Sequence, residues 1–135
     1  MIKLIYGATG TGKTKIAVDS ANKEAKNSNG LVVFVTDTNS VMFDLDIAVR
    51  LVNTNDYKVE GVGGLRGFLK GIVAANSDNH TIYVDGISRI TDQPISELEP
   101  FFTAIEELGK DHDITFVVTC STTKENMPEY LKKYL

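Results

Sequence analysis

Apolar residues fall along this chain in two rhythms. Four short runs, "IKLIY" (2–6), "LVVFVT" (31–36), "TIYVD" (81–85) and "ITFVVT" (114–119), are rich in β-branched and aromatic residues and nearly continuous in apolar character. Short continuous runs, as opposed to alternating ones, predict strands covered on both faces, as in a parallel sheet. Segments of helical period lie between them. Residues 13–27 carry Ile16, Ala17 and Ala21 on one side and Lys23, Glu24 and Lys26 elsewhere. Residues 65–76 set Leu65, Phe68, Leu69, Ile72 and Val73 at the spacing of a single helix face. Residues 94–109 do the same with Ile95, Leu98, Phe101, Phe102, Ile105 and Leu108, and Pro100 is expected to split or kink that helix. A last helix is predicted over 127–135, with Asn126 as its N-cap and Pro128 in its first turn.

Strands alternating with helices predict an α/β fold, a three-layer sandwich with a mostly parallel sheet, in one domain over residues 1–135. Residues 37–63 read least clearly. There "SVMFDLDIAVRLVN" mixes both periods, and "GVGG" (61–64) reads as a loop leading into the Leu65 helix. Those glycines fit a dinucleotide-binding fingerprint neither in spacing nor in position after a strand.

Composition narrows the classes. An apolar fraction of 42% with 24% charged residues is that of an ordinary soluble globular domain, and no run approaches the ~18 apolar residues of a membrane span. The opening "MIKLIY" is too short for the apolar region of a signal peptide, so a cytoplasmic location is the default expectation. Cys120 is the only cysteine, which excludes an intrachain disulfide. Beside it stand only His80 and His112, so no structural zinc site is expected. Its place at the end of an apolar run predicts a buried core residue. A net charge of −4 argues against a broad nucleic-acid surface, although a local basic patch is left open.

The chemistry concentrates in "GATGTGKT", residues 7–14. Gly7, Gly12, Lys13 and Thr14 match the pattern G-x-x-x-x-G-K-[ST], with an apolar strand before it and a helical segment after it. Glycines let successive backbone amides approach and converge on phosphate oxygens. The first turn of the following helix adds unpaired N–H groups and partial positive charge. The predicted phosphate-binding stretch therefore runs through Gly7, Ala8, Thr9, Gly10, Thr11, Gly12, Lys13, Thr14 and Lys15. In this reading Lys13 reaches the β- and γ-phosphates of ATP, and the Thr14 hydroxyl ligates Mg²⁺. Asp85, ending the strand "TIYVD", is the candidate second Mg²⁺ residue, acting through water.

With these two elements the chain resembles the P-loop NTPase superfamily, and its strand pattern is similar to the additional-strand branch that includes RecA-like ATPases. That resemblance implies a further strand between those carrying the two motifs. The 114–119 run can fill that place, and would set Thr119 or Ser121 where such proteins carry a polar γ-phosphate sensor. The loop also looks like that of pilus-retraction and secretion ATPases, whose N-terminal domain and histidine-bearing motifs have no counterpart here. Many members of the branch carry Glu directly after the Mg²⁺-linked Asp, whereas Gly86 follows Asp85. RecA-like proteins place a catalytic carboxylate after the second strand. Asp37, 23 residues beyond Thr14 in "FVTDTN", holds that position, with a cap or turn role as the alternative.

The arginines are Arg50, Arg66 and Arg89, and no Arg-rich lid segment is present. Arg89 reads either as a surface ion pair or as an arginine finger within or between subunits, which leaves an oligomer open. The expected function is slow Mg²⁺-dependent ATP hydrolysis. The alternatives are a kinase for a small metabolite, or a nucleotide-switched module whose protein partner docks on residues 37–63. The resemblance implies ATP over GTP, and no Asn/Thr-Lys-x-Asp guanine-reading motif occurs.

Overall fold

In the computed structural model, which describes residues 1–135, each apolar run forms a strand of one sheet. The strands are Ile2–Gly7 (β1), Leu31–Thr36 (β2), Val49–Asn53 (β3), Asn79–Val84 (β4) and Thr115–Ser121 (β5). Their order across the sheet is β1-β5-β4-β2-β3, and every neighbouring pair is parallel. The helices are Lys13–Asn27 (α1), Gly61–Ala75 (α2), Ile87–Thr91 (α3) and Glu99–His112 (α4). No helix is long and apolar enough to cross a membrane.

In β2, β4 and β5 the continuous apolar runs follow from burial on both sides of the sheet, whereas the expected two-sided cover fails for β1, an edge strand in which Ile2 alone is buried. Val32 and Phe34 of β2, with Tyr83 of β4 and Val117 of β5, pack against Ala17, Val18 and Ala21 of α1. Their chain neighbours Val33, Val35, Ile82, Val84, Phe116 and Val118 face the other way, into the larger core that Leu65 and Leu69 of α2 and Phe101, Phe102 and Ile105 of α4 complete. Each such side chain, once fully buried, contributes about 1.5–3 kcal/mol. On the α1 side the Phe34 and Tyr83 rings stack at 5.8 Å, and the Tyr83 hydroxyl pairs with Ser20 Oγ at 2.7 Å.

Four local readings are corrected. The mixed segment contains β3, an edge strand paired only with β2, whose exposed Arg50 and half-buried Leu51 break the continuous pattern. The "GVGG" stretch belongs to the first turn of α2, not to a loop. Each glycine costs a helix up to about 1 kcal/mol, but burial of Leu65, Leu69 and Val73 on the same helix overrides that preference. The C-terminal segment is a 3₁₀ helix, Glu129–Tyr134, entered through Pro128, so Asn126 is not its cap. On α1 the buried face is Ala17, Val18 and Ala21, while Ile16 lies one step round the helix and is about half exposed. Pro100 does split its region. A 3₁₀ turn at Ile95–Glu97 precedes α4, and Pro100 sits in the first turn of that helix, where its missing N–H costs nothing.

Candidate functional site: a cavity at the carboxyl ends of three strands

Gly7 of β1 lies beside Ser121 of β5, and Val84 of β4 lies beside Val118 of β5, so the carboxyl ends of these parallel strands lie on one side of the sheet, with β4 stopping short of the other two. From β1 the chain turns to α1 and from β4 to α3, which belong to the two different apolar clusters. A crevice opens between such diverging connections at the carboxyl ends of a parallel sheet. Here it is a cavity of about 410 Å³.

The loop from Gly7 to Gly12 forms one wall and is tied to itself. Thr11 Oγ1 donates to the Ala8 carbonyl at 2.6 Å, and Lys13 Nζ donates to the same oxygen at 2.9 Å. Gly10 and Gly12 take φ values of 82° and 87°, the left-handed region that other residues enter only with strain. A Cβ on Gly7 would stand 2.6 Å from Thr11 Oγ1, so the turn closes only on a bare backbone. Gly12 is the N-cap of α1 and offers no side-chain acceptor, which leaves first-turn N–H groups of a 15-residue helix without a side-chain cap.

The Asp85 carboxylate, 5% exposed, forms the floor of the cavity. Thr14 Oγ1 lies 3.2 Å from each of its oxygens, and Thr119 Oγ1 donates to Oδ1 at 2.7 Å. Thr14 and Asp85 come from elements 71 residues apart. No group of three or more His, Cys, Asp or Glu side chains able to hold a metal ion occurs, so the protein offers no cage of its own. One hydroxyl and one carboxylate fit a Mg²⁺ ion that keeps several waters and takes further oxygens from phosphates.

Thr9, Gly10, Gly12, Lys13, Thr14, Asp85, Thr119 and Ser121 all line the cavity. Four of the predicted phosphate-binding residues do not. Gly7 ends β1, Ala8 and Thr11 brace the loop, and Lys15 pairs with Asp19 at 3.1 Å on the exposed side of α1. Asp37 also lies outside it. Its carboxylate receives Arg89 Nε at 3.0 Å and Nη2 at 2.9 Å, and its main-chain carbonyl accepts from Asn55 Nδ2 at 2.8 Å. It lines an adjoining cavity of about 560 Å³ with Asn55, Glu60, Gly61 and Asp92. Arg89 lines both cavities. No local pattern in the sequence points to the second cavity, whose walls come from segments far apart in the chain, α3 among them.

Cys120 is fully buried, one residue beyond Thr119. Burial pushes its thiol up to about 12, against a smaller opposing effect of the Lys13 charge. At pH 8 the thiol thus stays protonated. A thiol-disulfide reagent should therefore label the native protein no faster than it opens, and denaturant should release the full reaction. Rapid stoichiometric labelling under native conditions would contradict this burial.

Among known proteins, no family model matches the chain and no curated protein matches it significantly.

Proposed function

We propose that this chain binds ATP at residues 7–14 and hydrolyses it slowly with Mg²⁺, as a small P-loop NTPase of the additional-strand type. The observation that carries this reading is the meeting of Thr14 with Asp85 at 3.2 Å beside the glycine loop. Two short motifs, each ending a strand, thus supply one oxygen-donor site next to a row of backbone amides. The position of β5 between β1 and β4 adds support, since that order matches the branch.

In this reading the loop amides and Lys13 hold the phosphates, and Thr14 and Asp85 hold Mg²⁺, which when bound neutralises charge on the phosphate oxygens. Thr119 keeps Asp85 oriented through its 2.7 Å hydrogen bond. Asp37 is the carboxylate proposed to orient the attacking water. Turnover is expected to be slow, because Arg89 is the only arginine lining the cavity, so a single guanidinium faces the charge of the phosphates.

The test separates metal from nucleotide. Asp85→Ala and Thr14→Ala should each reduce the gain in ATP affinity on adding Mg²⁺ by at least about tenfold, with metal-free binding changed little. Identical behaviour of Asp85→Ala with Mg²⁺ and with chelator would make Asp85 merely the end of a strand. A kinase for a small metabolite is the second reading, and the 560 Å³ polar cavity across Arg89 favours it. Transfer of label from ATP to an acceptor would select it over hydrolysis.

A further inference from the structure

We infer that Arg89 senses the terminal phosphate by exchanging Asp37 for it, so that the Asp37–Arg89 pair is a latch released by a triphosphate and kept by a diphosphate. The inference rests on the nucleotide reading above and names a residue and a regulation within that site.

Three observations carry it. First, Arg89 belongs to the walls of both cavities, whereas Asp37 belongs only to the second. One guanidinium thus stands between a carboxylate on one side and the proposed phosphate site on the other. Second, the pair is held in a way that permits exchange. Arg89 commits Nε and one terminal nitrogen to Asp37, which leaves other N–H donors of its five free. Its side chain is 62% exposed, so water can take over its hydrogen bonds, while the Asp37 side chain is 19% exposed. A phosphate carries more charge than the carboxylate and accepts the same two-pronged geometry.

Third, the chain keeps the space the latch needs. Gly86 has a φ of 90°, and the pair lies directly over it. A Cβ at position 86 would collide with the Arg89 guanidinium and stand 3.0 Å from Asp37 Oδ1. Asp37 and Arg89 therefore occupy the room that a side chain directly after Asp85 would take. A diphosphate seated on the loop leaves Arg89 on Asp37. The added phosphoryl group of a triphosphate draws Arg89 away, and the Asp37 carboxylate is then free to orient water.

Affinities for ATP and ADP, each with Mg²⁺, measured for the parent, Arg89→Ala, Asp37→Asn and Lys13→Ala, test the latch. Arg89→Ala should lower the preference for triphosphate over diphosphate by about 10- to 100-fold and leave diphosphate binding unchanged. Asp37→Asn should raise that preference by about two- to fivefold, because Arg89 no longer has to leave an anion. A pair that merely props the fold predicts no such opposition of sign. Arg89→Gln provides the same comparison if Arg89→Ala does not fold. Equal preference in all folded variants, or a fall in both Arg89 and Asp37 variants, overturns the latch while loss of binding in Lys13→Ala leaves the nucleotide reading standing. Parental ATP binding in Lys13→Ala strikes the nucleotide reading itself.

Discussion

Lys13→Ala should lose triphosphate affinity by about 10- to 100-fold, the equivalent of one charge-assisted contact of about 1.5–3 kcal/mol. The protein should still fold. Lys13 opens α1, its ammonium is exposed and donates only to the Ala8 carbonyl, and no apolar cluster includes it. The change therefore removes a cation from the cavity wall without opening the core. Titration with a fluorescent ATP analogue, alongside a thermal melt, measures both halves of the expectation. A folded Lys13→Ala protein with parental affinity would mean that the loop does not bind phosphate.

Asp37→Asn should lower the rate of ATP hydrolysis by about 10²- to 10⁴-fold, the usual contribution of a positioned acid–base group. The substitution keeps the size of the side chain and removes its charge. The fold should persist, because the Asn55 bond goes to the main-chain carbonyl of residue 37 and the arginine released from the pair is already largely exposed to water. Steady-state phosphate release, measured beside ATP affinity, distinguishes the roles. Hydrolysis retained in full would return Asp37 to its turn and assign the water to another group.

What the sequence made legible divides along a physical line. The runs at 31–36 and 114–119 announce themselves because burial on both faces demands apolar side chains at every position. β3 is hidden because an edge strand with one partner tolerates Arg50 facing water. The start of α2 is hidden because packing of Leu65 and Leu69, not the propensity of four residues with three glycines, decides that the helix begins at Gly61. Within the site, Thr14 and Asp85 could be foreseen as partners, since each follows a strand end whose chemistry marks it. The pairing of Asp37 with Arg89 could not. It depends on β2 lying next to β4, which brings the residue after Thr36 alongside α3, and nothing local to either residue fixes that neighbour relation.

The placement of β1 also governs when the loop can exist at all. This strand sits at the sheet edge and pairs with β5 alone, Ile2 against Phe116 and Gly7 against Ser121. As the chain leaves the ribosome, β2, β3 and β4 can assemble while β1 still lacks a neighbour to bond with. Closing so long a segment is entropically slow. The glycine loop precedes β5 in the chain, yet β1 gains its one sheet partner only when residues 115–121 arrive. A nascent chain halted before that point carries every residue of the motif but no β5 to pair with β1, so nucleotide binding during synthesis would report the arrival of that strand.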